Sequence, residues 1–207
     1  MRSVLPGVLV AALAAAAVFC TSGRRVAEVP APGLDRKLSA FAFIEEGEIG
    51  TFIVDTRSTR ERENHGFVPF EICVANRGLR NMSVTRESFT LVDQDGNRYP
   101  CASPREILDG YEFLDFDRRL SEVAEITFNR FAAFTRYASQ FSPVREVSSQ
   151  PFGSTIVRDA VSIPKFGYII DFIYFPTPKG GVMGRRFEMF LDTPELPSPL
   201  FVKFVVQ

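Results

Sequence analysis

Apolar and polar residues alternate along most of the chain, and this period of two predicts β-strands. The clearest case is residues 70–75, where Phe70, Ile72 and Val74 fall on one face. Short segments of this kind, separated by frequent turn signals, predict a β-sandwich. The predicted strands include residues 51–55, 70–75, 82–85, 88–92, 156–163, 168–175, 187–191 and 200–206, and the most apolar of them, 168–175, is predicted to be central.

Two connections between these strands are predicted to be exposed. Residues 57–66 contain Arg57, Arg60 and Arg62, and two glutamates offset these cations. This mixture of charges predicts an exposed hairpin loop or strand edge. Residues 192–199 contain three prolines, which is too many for a strand and predicts a crossing loop.

One segment departs from the period of two. Between residues 117 and 141 the apolar positions recur at alternating steps of four and three, which predicts an amphipathic helix that Pro143 ends. Upstream, Ser103 and Glu106 have the spacing of a capping box and predict a helix start. A helical insertion at about residues 104–142 is therefore expected. Its long helix has the apolar face Leu120, Ala124, Thr127, Phe131, Phe134, Ala138 and Phe141.

The N-terminal residues have the pattern of an export signal. Residues 3–23 carry no charge, and arginines lie on both sides of them. We expect residues 1–22 to be a signal peptide or lipoprotein leader, and a retained transmembrane anchor is the alternative. Residues 23–38 contain Pro30, Pro32 and Gly33 and are predicted to be a linker to a domain at 39–207.

Three cysteines carry further predictions. Cys20 lies just after the apolar stretch, where a bacterial lipoprotein has its lipidated cysteine, although the preceding Phe19 is larger than the usual small residue. Ordinary cleavage near Cys20 is the alternative. Cys73 and Cys101 are predicted to form a disulfide, since an exported pair can be oxidised. Two separate buried thiols are the other possibility.

The amino-acid composition excludes several kinds of functional site. The chain has 207 residues, 45% of them hydrophobic, and a net charge of −1, so no general attraction to nucleic acid is expected. Its single histidine, His65, excludes metal sites that need two histidines. Asp93, Asp95 and Asn97 have a spacing that superficially resembles a calcium loop, but Gly96 lies at the wrong position for one, so a hairpin turn is predicted. No cofactor, metal or catalytic residue is predicted.

Residues 70–99 carry a resemblance to a known family. A strand that ends in an Asn-x-Gly turn leads to a strand of the type Phe-x-Leu-x-Asp, an Asp-Gly hairpin and a tyrosine. This order resembles the immunoglobulin-like, telokin-like domain of bacterial envelope lipoproteins of unknown function. The resemblance implies an immunoglobulin-like β-sandwich and brings no catalytic residues. The matching positions are Asn76, Gly78, Phe89, Leu91, Asp93, Asp95, Gly96 and Tyr99.

The expected function is that of a non-enzymatic exported protein in the bacterial periplasm or anchored at the cell envelope. Such a domain is expected to bind another envelope protein or to assist assembly, with membrane contact through the N-terminus only. The alternative is a periplasmic carrier or sensor of an apolar ligand, bound between the long helix and the sheet. The 21 phenylalanines fit either a large core or such a pocket.

Overall fold

The computed structural model describes residues 36–117, 142–143 and 160–207. Over these ranges the protein is mainly β, with several antiparallel sheets. Its strands are β1 (Arg36–Lys37), β2 (Ala42–Glu46), β3 (Gly50–Asp55), β4 (Phe67–Asn76), β5 (Asn81–Thr85), β6 (Phe89–Asp93), β7 (Arg98–Pro100), β8 (Ser142–Pro143), β9 (Ala160–Pro164), β10 (Gly167–Pro176), β11 (Arg186–Leu191) and β12 (Leu200–Val205). Its helices are α1 (Arg57–Glu61), α2 (Pro104–Gly110) and a 3₁₀ turn at Arg86–Ser88.

Three sheets form among these strands. The first has the order β1-β2-β3-β4-β10-β8, the second β12-β11-β6-β7, and β5 and β9 form a third. All neighbouring strands are antiparallel except β8, which runs parallel to β10. The predicted central strand at residues 168–175 is confirmed as β10, which lies between β4 and β8.

The first two sheets enclose one apolar core. Because side chains alternate across a strand, Phe70, Ile72 and Val74 of β4 all point into this core, as predicted. Rings meet across the two sheets: the centroid of Phe204 lies 6.1 Å from that of Phe43 and 5.5 Å from that of Phe70. Many of the phenylalanines are therefore core residues.

The first sheet is also largely covered on its outer face. At one end Ile44, Ile53 and Tyr168 form a second apolar cluster. At the other end, residues of α2 and the segment after it pack against Phe172 and Tyr174 of β10. Polar side chains on this outer face are consequently buried as well.

Two predictions made from the sequence are wrong. Residues 57–66 are not an exposed loop or strand edge: they begin with α1, whose Ser58 and Thr59 are buried, and Arg62 is buried behind it. Residues 192–199 do not cross between sheets, because they join β11 and β12, which are antiparallel neighbours.

The predicted helical insertion is described only in part. The Ser103 capping box is confirmed, since Ser103 Oγ accepts from the Glu106 backbone N–H (3.3 Å) and the Glu106 carboxylate accepts from the Ser103 N–H (2.8 Å). The predicted long helix at 117–141 lies almost entirely outside the described residues. In the described part of the chain, no helix is long and apolar enough to cross a membrane.

Candidate functional site

An open cleft of about 530 Å³ lies at the end of the first sheet where α2 ends. We call it the α2 cleft. One wall is the turn after α1, and the other is the C-terminal half of α2 with the two residues that follow. Its lining residues are Asn64, His65, Gly66, Leu108, Asp109, Gly110, Tyr111 and Glu112.

Local contacts hold both walls in place. On the first wall, the hydroxyl of Thr177 donates to the carbonyl of His65, and its N–H donates to the carbonyl of Gly66 at 3.1 Å. The end of β10 therefore fixes the turn. On the second wall, α2 begins at the Ser103 cap with proline at its first position, which favours a helix start. It ends where the Tyr111 N–H donates to the Ile107 carbonyl at 2.9 Å.

The polar side chains of the cleft include two exposed carboxylates and the imidazole of His65. Nδ1 of His65 lies 3.6 Å from Oε1 of Glu112, and the imidazole packs edge-on against Phe113 at 4.5 Å between centroids. The carboxylate of Asp109 lies 3.6 Å from Nε of Arg105, one helical turn away. Both carboxylate side chains are 73% exposed, so these groups are open to solvent.

A buried cluster supports the cleft from below. The guanidinium of Arg62 lies 4.2 Å from the ring centroid of Phe113 and 4.9 Å from that of Phe116, which are favourable cation–π distances. Its NH2 nitrogen is 3.5 Å from Oδ1 of Asp117. Arg62 thus joins the end of α1 to the segment after α2. We call Arg62, Tyr111, Asp117 and Tyr174 the Arg62–Asp117 cluster.

Two tyrosines complete this cluster. The hydroxyl of Tyr111 donates to Oδ2 of Asp117 at 2.5 Å, and that of Tyr174 approaches the same oxygen at 3.4 Å. Burial raises the pKa of Asp117, while the hydrogen bond from Tyr111 and the charge of Arg62 oppose that rise. Burial and the nearby carboxylate raise the pKa of both tyrosines. Nε of Arg62 and Oδ1 of Asp117 lack hydrogen bonds within the described part of the chain.

A second buried acidic group lies on the outer face of the first sheet. Glu71 of β4 is opposite Asp55 of β3, and only 8% of its surface is exposed. Burial, reinforced by the Asp55 carboxylate, raises the pKa of Glu71 to about 8. Asp55 accepts from the Arg57 N–H at 2.8 Å, whereas Oε1 of Glu71 has no hydrogen bond to any of the described residues. Burial thus favours the protonated form of the Glu71 carboxyl group.

The residues that resemble a calcium loop form a structural network. Asp93 accepts hydrogen bonds from the N–H of Asp95, from the N–H and side chain of Asn97, and from the Tyr99 hydroxyl. Arg185 supplies the cation, 3.1 Å from Asp93. Burial opposes ionisation of Asp93, but these hydrogen bonds outweigh it and lower its pKa to about 2. The predicted hairpin turn is confirmed.

Other residues of the predicted family motif are also structural. The amide of Asn76 donates to the carbonyls of Leu79 and Ile163, both at 2.9 Å, and accepts from the Leu79 N–H at 3.0 Å. A Cβ on Gly78 would come within 3.1 Å of the Ile49 backbone. Each of these positions fixes a turn or a close approach of two loops.

The cysteines do not form a site. Cys73 and Cys101 are free thiols in the structure. Cys73 belongs to the outer cluster of the first sheet and Cys101 packs against the inner core, on the other side of that sheet. The two thiols are not joined in the structure, and their pairing stays a prediction. Burial raises the pKa of Cys73 to about 12. Cys20 lies outside the described residues.

No group of three potential metal ligands occurs among residues 36–117, 142–143 and 160–207.

The sequence pattern predicts His65 only as part of the exposed segment 57–66 and does not identify Arg62, Tyr111, Asp117 and Tyr174 as a set. The contributing segments are far apart in the chain, and only the structure brings them together. Among the earlier signals, only the capping box at Ser103 pointed to the helix that forms one wall.

Comparison with known proteins adds one structural similarity. No protein-family model matches the sequence, and no curated protein matches it. A crystal structure of a "putative lipoprotein (ycdA)" from Bacillus subtilis is similar with a TM-score of 0.40 and 11% sequence identity. The similarity covers 78% of this chain, which spans 38% of the length of that one.

Proposed function

We propose that this chain is an exported, membrane-tethered, non-enzymatic protein of the bacterial cell envelope that binds another envelope protein through the α2 cleft. The proposal rests on the location of the exposed apolar side chains. Among the described large apolar side chains, the two most exposed are Leu108, at 56%, and Phe116, at 44%. Leu108 lines the cleft, and Phe116 packs against Arg62 beneath it.

The sheet order supports an immunoglobulin-like scaffold. In that fold one sheet has the order A-B-E-D and the other G-F-C, with C′ added in variable-type domains. Here β3-β4-β10-β8 matches the first order and β12-β11-β6-β7 matches the second. The chain departs from the pattern in its extra edge strands β1 and β2, in the third sheet, and in the parallel pairing of β8. Such sandwiches commonly present their binding groups on loops at one end.

The position of the cleft fits a tethered domain. β1 is antiparallel to β2 and pairs Arg36 with Ile44, so the chain enters β1 from the side of the turn between β2 and β3. This turn lies beside Asn76, at the C-terminal end of β4. Phe67, at the N-terminal end of β4, contacts the cleft region instead. The cleft therefore lies at the end of β4 that is remote from this turn, where a partner could reach it.

The cleft offers no serine or cysteine nucleophile. Its only imidazole contacts a carboxylate and a phenyl ring. General acid–base catalysis can use an imidazole or a carboxylate, but nucleophilic catalysis by serine or cysteine needs that residue beside the base. None of the eight residues that line the cleft is a serine or cysteine.

Site-specific photocrosslinking in the producing cells tests the binding function. A photoreactive residue replaces Leu108 in one variant and Phe201 in a matched control. Phe201 is 38% exposed but lies on the second sheet. We expect one defined adduct from position 108 and none from position 201. Absence of an adduct from position 108, or the same adducts from both positions, would contradict the proposal.

Intact mass and detergent partitioning test the tether. A diacylglyceryl adduct on Cys20 with partition into detergent would establish lipid anchoring, and Cys20→Ala should then release the protein into the aqueous phase. A cleaved, soluble product would refute the membrane tether. An uncut leader that partitions into detergent would show a transmembrane anchor instead of a lipid.

A further inference from the structure

The α2 cleft has the features of a surface that receives a side chain or short segment of another protein. It is open to solvent, and its volume of about 530 Å³ falls within the range of about 300–1,000 Å³ that is typical of ligand pockets. Leu108 is an exposed apolar group at its margin. Gly66 leaves the backbone of the opposite wall open, because a Cβ there would meet no atom within 4 Å.

The charge in this cleft specifies the chemistry of the occupant. Asp109 and Glu112 line it, and each carboxylate side chain is 73% exposed. We infer that the partner of the α2 cleft is a basic segment of a protein, in which a lysine or arginine lies beside an apolar side chain. The cation would reach the carboxylates while the apolar side chain packs on Leu108. This inference rests on the proposed binding function.

The existing partners of these carboxylates are weakly held. Asp109 pairs with Arg105, whose side chain is 91% exposed. Glu112 pairs with His65 at 3.6 Å. Exposed pairs of this kind contribute little to stability, so an incoming cation can replace them at small cost. Nucleic acid and anionic lipid are disfavoured, because their phosphates would face two carboxylates.

Beneath the cleft, the contacts of Arg62 join the segment after α1 to the segment after α2, so the two walls are connected before a partner binds. Arg62 is buried and is held between two phenyl rings and Asp117. Its guanidinium is already paired with Asp117 at 3.5 Å and is therefore not directed at the two exposed carboxylates. A preformed surface loses little conformational entropy when a partner binds.

A pair of labelled peptides tests the inference on the full chain in nanodiscs of neutral lipid. The first is a short amphipathic peptide of lysine and leucine, and the second has glutamate in place of every lysine. Fluorescence anisotropy measures the affinity for each. We expect the lysine peptide to bind and the glutamate peptide not to bind. Added salt should weaken the binding, because exposed charges are screened.

Two double variants locate the binding. Asp109→Asn/Glu112→Gln should weaken binding of the lysine peptide about 3- to 10-fold, as expected for the loss of two exposed ion pairs. Glu87→Gln/Asp192→Asn makes the same change in net charge at the other end of the sandwich and should leave the affinity unchanged. Asp192 and Ser88, the residue after Glu87, are joined there by a backbone hydrogen bond of 2.8 Å. All four side chains are exposed, so both variants should fold, and circular dichroism checks this.

The outcomes separate this inference from the proposed function. Equal affinity of the two double variants, equal binding of the two peptides, or no binding of the lysine peptide would overturn the inference of a basic partner. If photocrosslinking at position 108 still gave a defined adduct, the binding function would stand with a partner of different chemistry. If that adduct were also absent, both proposals would fail.

Discussion

Replacing Glu71 with glutamine should remove a large part of the pH dependence of stability. In the folded protein the pKa of Glu71 is raised from 4.5 to about 8, first by burial and then by the Asp55 carboxylate. Between these two pH values the folded state keeps a proton that the unfolded state has lost. Stability therefore falls as the pH rises through this window, because the unfolded chain gains from ionisation and the folded chain does not.

The size of the effect follows from the shift. One pKa unit corresponds to about 1.4 kcal/mol, so the change from 4.5 to about 8 amounts to roughly 4–5 kcal/mol of stability lost between those pH values. This is a large fraction of the typical total of about 5–15 kcal/mol. Glutamine has the same shape and no ionisation. Glu71→Gln should therefore match the wild type at pH 4.5 and exceed its stability at pH 8 by up to this amount.

Denaturant unfolding at pH 4.5 and pH 8 measures the difference. The control is Glu188→Gln, which removes a half-exposed carboxylate 3.4 Å from Lys203 on the second sheet and should change stability by less than about 1 kcal/mol. The quantity compared is the change in unfolding free energy between the two pH values, variant against wild type. If Glu71→Gln and Glu188→Gln show the same pH dependence, Glu71 is not protonated in the folded protein, and the reasoning from its burial is wrong.

Three further outcomes are expected. Asp93→Asn should destabilise the fold by about 2–3 kcal/mol through loss of charge-assisted hydrogen bonds. Because the pKa of Asp93 is lowered to about 2, its contribution should disappear as the pH falls from about 4 through about 2, as measured by acid unfolding. Arg62→Ala should cost about 3–5 kcal/mol by leaving Asp117 buried without its cation, and Arg62→Ala/Asp117→Asn should cost less, as thermal unfolding would show. Cys73 should react with a thiol reagent only after unfolding, when both Cys73 and Cys101 react; an intact disulfide would leave neither reactive.

Features that depend on local chain geometry were predictable from the sequence. The alternation in β4 predicts which side chains enter the core, because the side-chain period of a strand is fixed at two. The Asp-Gly turn after β6 is confirmed, with Gly96 at φ 84°, where glycine has no steric penalty. The Ser103–Glu106 capping box is likewise a contact between near neighbours in the chain. In each case the atoms that decide the structure lie within a few residues of one another.

α1 shows why other elements were missed. Its five residues mix arginine, serine, threonine and glutamate, and the side chain of its N-cap Thr56 makes no capping hydrogen bond. The sequence therefore lacks a helix start signal here. The helix is stabilised by packing instead: the Thr59 hydroxyl donates to the Pro69 carbonyl of β4 at 2.6 Å. Such a contact becomes visible only when the two segments are folded together.

The burial of Glu71 has a similar cause. Its position on the polar side of an alternating strand predicts a solvent-exposed face. In the structure α1 packs against β4, and that outer face is largely covered. The pattern along one strand carries no information about which distant segment covers it. The same holds for Arg62 and Asp117, which are 55 positions apart in the sequence and meet only because α1 and the segment after α2 share one end of the first sheet.

These differences indicate where the function should be sought. The residues of the motif that resembles a known family make internal contacts. Asn76 holds two loops together, and both oxygens of Asp93 accept hydrogen bonds. Residues committed in this way to internal contacts are not available to a partner. The two most exposed of the described large apolar side chains, Leu108 and Phe116, lie instead on α2 and the segment after it, at one end of the first sheet. Under the proposed function, substitution at Leu108, Asp109 or Glu112 changes partner binding without disturbing the core, whereas substitution in the motif changes folding as well.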